Sequence, residues 1–197
     1  ILFLRSFFFF IGLTFFLILI YKKKTIKIIK DSGYPGLLGG FVMSFSFIAF
    51  VFAMLNTTVA NVVFIISTQT MFLAIFGYFY LREKITFISI CLAMSGILIM
   101  VGDSISKGTL FGNLIALVVP INFSILVMII RKFPKLDMVP AIFYSGIFSC
   151  IYGLIMTDTF NFTNHDILMG SLMAVPQLAL GLICTTIGSS TTPSATV

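Results

Sequence analysis

Long uncharged stretches constrain this chain more than any other feature. Residues 32–81 contain no Asp, Glu, Lys or Arg, and neither do 85–102, 108–130, 138–157 or 167–197. Ten of the twelve Lys and Arg residues fall in three clusters between such stretches: Lys22, Lys23, Lys24, Lys27 and Lys30; Arg82 and Lys84; Arg131, Lys132 and Lys135. The gaps that alternate with these clusters hold Lys107 and acids. A helix that crosses a bilayer needs about 20 mostly apolar residues, and basic loops stay on the cytoplasmic side. The pattern is that of a chain that crosses a membrane repeatedly.

Composition points the same way. Hydrophobic residues make up 59% and charged residues 9% of the sequence, whereas a soluble domain carries about 25% charge. A net charge of +6 could suggest nucleic acid. The basic residues, however, are loop anchors beside apolar runs, so the expected partners are a lipid bilayer and a small-molecule solute, with no nucleic acid. Cys91, Cys150 and Cys184 lie in separate apolar runs without a CxxC or a Cys/His cluster. Neither a disulfide, a metal site nor a cofactor is expected. The chain opens with Ile inside an apolar run and ends at Val197 without a polar tail, which reads as an internal fragment of a longer membrane protein.

Seven spans are predicted, at roughly 1–21, 36–56, 59–81, 85–102, 108–130, 138–157 and 167–189. The polar run from Asn56 through Asn61 divides the longest uncharged stretch into two helices. Backbone groups cannot stay unpaired in hydrocarbon, and the runs are too long and too unalternating for barrel strands. The expected fold class is therefore an all-α polytopic membrane helix bundle. With the basic loops inside, span one runs inward and the rest alternate, which leaves 56–61, 103–107 and 158–166 outside. Loops are short, so function resides within or between helices.

Residues 54–62, MLNTTVANV, are echoed 135 positions later by residues 189–197, SSTTPSATV. The echo pairs span two with span seven, five helices apart. That pairing conflicts with a simple alternation unless each repeat holds an odd number of helices, in which case corresponding turns face opposite sides.

The stretch from 59 to 102, with LREK at 81–84 and Gly96 and Gly102 in the helix that follows, resembles the end of an EamA-type repeat of the drug/metabolite transporter superfamily. Such repeats close with a helix, a Glu at its cytoplasmic end (Glu83 here) and a glycine-containing helix. QLALGLICTTIGSSTTPSATV, residues 177–197, resembles the corresponding place in a second repeat. The resemblance implies a secondary transporter of ten helices in two inverted five-helix repeats. Residues 1–102 would be most of the first repeat without its first helix, and 108–197 the start of the second without its last helices. The family often has a Pro about thirteen residues before the Glu, where this chain has Thr70. A straighter third span is expected, with side chains supplying the polar contacts.

No ionisable group is identified deep in a span, which argues against a proton relay or a fixed charge for a strongly anionic substrate. Uncharged polar groups remain. Gln69 and Thr70 fall mid-span in span three, Asn122 follows Pro120 in span five, and Gln177 follows Pro176 in span seven. Large amides are costly to bury unpaired, and two of these adjoin prolines that open the backbone. Gln69, Thr70, Asn122 and Gln177 are the expected substrate-binding residues, lining a midplane cavity for a neutral or zwitterionic metabolite such as an amino acid. Ser44, Ser46 and Ser145 are expected to hydrogen-bond neighbouring helices. Gly36 with Gly40, and Gly108 with Gly112, fit close helix packing. Glu83 fits a local ion pair, and His165 a solvated loop.

The expected function is an alternating-access permease or exporter, multi-pass in a bacterial plasma membrane. The chain shows no mid-membrane Asp pair, Ser/His dyad or HExxH helix, so it is not expected to be an enzyme. The alternatives are a non-transporting membrane scaffold subunit, or an intramembrane enzyme whose catalytic residues lie in missing helices. A homodimer is left open.

Overall fold

A computed structural model describes residues 2–81, 91, 92, 94–96, 98, 99, 110–134, 136–157 and 163–189. All regular structure among the described residues is helical. Helix α1 spans Leu2–Tyr21 and is followed by a 3-10 turn at Lys22–Lys24 and by α2, Thr25–Asp31. Next come α3 (Gly33–Asn56), α4 (Val59–Ser67) and α5 (Gln69–Leu81). After them lie α6 (Leu110–Ala116), α7 (Val118–Lys132) and α8 (Val139–Ile155). Then α9 (Asn164–Leu172) runs through a π-helical segment, Met173–Leu180, into α10 (Gly181–Ser189).

Five helical stretches are long and apolar enough to cross a membrane: Phe3–Tyr21, Gly33–Asn56, Val59–Tyr80, Leu110–Lys132 and Asn164–Gly188. Val139–Ile155 is a shorter apolar helix of 17 residues, about 26 Å long at 1.5 Å per residue. These six coincide with six of the seven predicted spans. The other, 85–102, lies largely outside the described residues. The basic stretch 22–30, expected as a loop, is helical instead, a 3-10 turn leading into α2. Its backbone stays hydrogen-bonded while Lys22, Lys24, Lys27 and Lys30 remain at the surface.

The chain divides into two compact units, one of Ile1–Ser44 with Ile129–Thr191, the other of Phe45–Met128 with Thr192–Val197. In the first, α1 packs along α8, α9 and the π-helical segment. Leu4, Phe9, Leu13 and Leu17 form its buried stripe, while Phe7, Ile11, Phe15 and Ile18 are exposed. Both faces are apolar, because the outward one meets hydrocarbon rather than water. Small residues bring the backbones close. A Cβ placed on Gly40 would lie 2.6 Å from the Ala141 carbonyl oxygen, and one on Gly153 would lie 2.9 Å from the Phe3 Cα. Gly33 turns the chain between α2 and α3 with a φ of 52°, a conformation glycine adopts without penalty.

The second unit is organised around Ala53, Val62, Ile65 and Ala116. The turn that joins α3 to α4 is tied down by polar groups. Thr58 caps α4 by accepting from the Asn61 amide, as N-cap threonines do. The Thr57 hydroxyl donates to Asn113 Oδ1 at 2.7 Å, and Asn61 Nδ2 donates to Thr57 Oγ1 at 3.2 Å. Gly112 makes the close approach possible, since a Cβ there would stand 2.6 Å from the Asn56 carbonyl carbon. The packing role expected of Gly40 and Gly112 is thus met. Gly108 lies outside the described residues.

Candidate functional site

The polar residues singled out by sequence cluster at interruptions of their own helices. In the span Val59–Tyr80, α4 ends at Thr68 with a backbone (φ −76°, ψ 1°) well off the helical ψ. The Thr68 hydroxyl folds back onto the Ile65 carbonyl at 2.6 Å. Its amide also reaches Ile65, three residues back, at 3.1 Å. Gln69, half-buried, and Thr70, exposed, begin the next helix directly after this break. The expectation of a straighter helix in the absence of proline is therefore overturned. Thr68 interrupts the ladder by itself, through a tight 3-10 pattern that its hydroxyl reinforces.

In the span Leu110–Lys132, α6 gives way to α7 at Leu117, and Pro120 follows, buried. Proline has no N–H, so the Ala116 carbonyl loses its intrahelical donor. Ser124 Oγ donates to the Pro120 carbonyl at 2.8 Å. Asn122 lies two residues past the proline, half-buried.

The third interruption is the most extensive. In the span Asn164–Gly188, Met173–Leu180 is π-helical with Pro176 inside it. π segments are rare and gather at functional positions. Here the proline denies Leu172 its usual donor and widens the turn. Gln177 lies in this segment, and its side chain is outside the described residues. Gly12 on α1 faces the segment, with a Val175 methyl 3.1 Å from where a Cβ would sit, closer than an ordinary van der Waals contact.

Gln69, Thr70 and Asn122 belong to the second compact unit and Gln177 to the first. Among the described residues, α5 continues α4 in one span and has no extensive pairing with α7, so Gln69 and Asn122 are not on closely packed helices. What the candidates share is position. Each lies near the middle of its span and within five residues of a break.

The serines behave differently from expectation. Ser44 donates to the Phe41 carbonyl and Ser145 to the Ile142 carbonyl, each at 2.6 Å within its own helix. The Ser46 hydroxyl is buried with no hydrogen-bond partner among the described residues. Buried serines three residues from a helical carbonyl satisfy themselves locally before they reach a neighbour. A buried polar link between helices is made instead by Ser6 with Ser149, Oγ to Oγ 2.5 Å, joining α1 to α8.

Beside that pair stands an ionisable residue near one end of a span, which the sequence reading did not single out. Arg5 lies within the span Phe3–Tyr21 and is only 8% exposed. Its helix is held there by the close approach of α9, where Gly170 would place a Cβ 3.9 Å from the Arg5 amide nitrogen. A buried cation is costly even near the end of a span, unless its side chain reaches the interface or a partner. The sequence signal was a lone Arg in an otherwise uncharged run of twenty residues.

Glu83 lies outside the described residues, and His165 is exposed. Among the described residues no three His, Cys, Asp or Glu come together as a metal site would require.

The spans and the short connections are those of an integral, multi-pass, all-α membrane protein. Comparison with curated proteins and with solved structures finds no match. The model of the EamA-like transporter family matches residues 1–102, more than half of the sequence. The chain belongs to the EamA-like transporter family.

Proposed function

We propose that the protein carries a small zwitterionic or neutral metabolite, such as an amino acid, across a bacterial plasma membrane by alternating access between two inverted repeats. The observation that carries this reading is the coincidence of mid-span amides with mid-span breaks. Gln69 follows the interruption at Thr68, Asn122 follows Pro120, and Gln177 sits in the π-helical segment. Broken helices at membrane depth expose backbone groups that need polar partners, and secondary transporters use such places to bind their solutes. Gln69, Thr70, Asn122 and Gln177 are the residues proposed to meet the solute.

The test is a flux screen in proteoliposomes with amino acids, nucleosides and sugars as separate arms. Saturable, competable uptake of a zwitterionic solute supports the proposal. Flux of none of the three classes at full incorporation of folded protein would favour a scaffold subunit instead.

A further inference from the structure

Independently of which solute is carried, we propose that the elbow between α1 and α2 is a binding site for an anionic phospholipid. A cavity of about 310 Å³ opens there in the first compact unit, a volume within the range of small-molecule sites. Leu17 and Ile18 of α1, Ile26 and Ile29 of α2 and Phe143 of α8 form its walls. Thr14 lies at one end and Lys22 with Thr25 at the other. Those ends are eight residues apart on the chain, roughly 12 Å at the helical rise. The site is thus an apolar trough with a cationic, hydroxyl-bearing rim.

The surroundings select the ligand by charge. Lys22, Lys23, Lys24, Lys27 and Lys30 follow the end of the span, and Asp31 is the single acid from 22 to 31. Such clusters next to a membrane helix attract acidic headgroups, and basic pockets between helices hold them. The apolar walls then discriminate between a lipid and a free anion, because only a lipid brings acyl carbons to cover them. Ile26, at the mouth, is 70% exposed, an arrangement that costs little if hydrocarbon covers it.

The elbow is built rather than incidental. Lys22 holds a φ of 48°, rare for a residue with a side chain. Thr25 Oγ1 fastens α2 to the end of α1, donating to the Lys22 carbonyl at 2.8 Å and to the Leu17 carbonyl at 3.3 Å. The Tyr144 hydroxyl donates to the Ile29 carbonyl at 3.1 Å, which pins the far end of α2 to α8. Both ends of α2 are therefore tethered, and the trough beneath it keeps its form.

The test uses the purified full-length protein in detergent, with native mass spectrometry and thermal unfolding as readouts. Dioleoyl phosphatidylglycerol, dioleoyl phosphatidylcholine, glycerol 3-phosphate and inorganic phosphate are the four additives. Phosphatidylglycerol should be retained at least several-fold better than phosphatidylcholine and should raise the unfolding temperature, while the two water-soluble phosphates do neither. The combined K22Q, K24Q and K27Q variant should lose that preference, and the matching Lys→Arg variant should keep it. Ile26→Asn, with every lysine intact, should also weaken retention. Equal retention of the two lipids, an undiminished preference in the glutamine variant, or equal stabilisation by inorganic phosphate would each overturn the proposal. All substituted side chains are exposed, so an unchanged circular dichroism spectrum separates loss of binding from loss of fold.

Discussion

The Tyr21 hydroxyl donates a hydrogen bond to Oδ2 of Asp137, linking the last residue of α1 to the residues that precede α8, 116 positions away. The other carboxylate oxygen, Oδ1, accepts from the Val139 amide at 3.1 Å and so satisfies a free N–H at the start of α8. One side chain thereby closes a helix end and holds a second helix against it. Tyr21→Phe removes only the cross-link and should cost roughly 1 kcal/mol, as hydrogen-bond deletions do. Asp137→Ala removes both bonds and should cost more. Thermal unfolding in detergent ranks the two, and a Tyr21→Phe loss as large as that of Asp137→Ala would show that the helix-end bond adds nothing.

Close backbone contact sets the second expectation. A Cβ on Gly40 or Gly112 would meet backbone atoms at 2.6 Å, whereas Gly181 has nothing within 4 Å. Gly40→Ala and Gly112→Ala should each destabilise by about 1–3 kcal/mol through overpacking. Gly181→Ala should be neutral or gain up to about 1 kcal/mol from helix propensity. Equal unfolding temperatures for the three variants would contradict the packing described.

The breaks themselves can be repaired. Pro176→Ala restores a donor for Leu172 inside the π-helical segment and allows a regular helix to form. Stability should rise or hold, while transport falls at least tenfold. Pro120→Ala should act in the same direction in the other unit. Undiminished transport in a variant whose helix has straightened would show that the break is not part of the solute path.

Arg5 separates charge from shape. Arg5→Lys keeps the positive charge and loses the planar fork, and Arg5→Gln loses both. If a carboxylate-bearing solute is read by this charge, flux should decline in the order wild type, Lys, Gln, with about a tenfold loss at the last step. Uptake of an uncharged solute should change far less. Parallel losses for both solutes, tracking the amount of folded protein, would assign Arg5 to stability alone.

Span positions were legible in the sequence because hydrocarbon imposes a length and disfavours charge, so six helices stand where the long apolar runs predicted them. The inward face of α1 was not. Leu4, Phe9, Leu13 and Leu17 are buried and Phe7, Ile11, Phe15 and Ile18 exposed, yet both sets are equally apolar. Arg5 was not singled out for a related reason: a single charge near one end of a span is ordinary at an interface, and its burial, with α9 close by at Gly170, shows only in the fold. Prolines announced the interruptions near Asn122 and Gln177. Nothing announced the one before Gln69, where a threonine hydroxyl bonded to its own helix does the work of a proline. The lysine cluster was legible as charge, whereas its helical form rests on tethers from Thr25 and Tyr144, residues distant from each other in sequence.

Counterflow in proteoliposomes tests the central claim most directly. Wild type is compared with Gln69→Leu and Gln177→Leu at matched incorporation, for a zwitterionic amino acid shown to be carried. The account predicts that each substitution raises the half-saturation concentration or lowers the maximal rate at least several-fold while the unfolding temperature stays within a few degrees. Wild-type flux in both variants would contradict it.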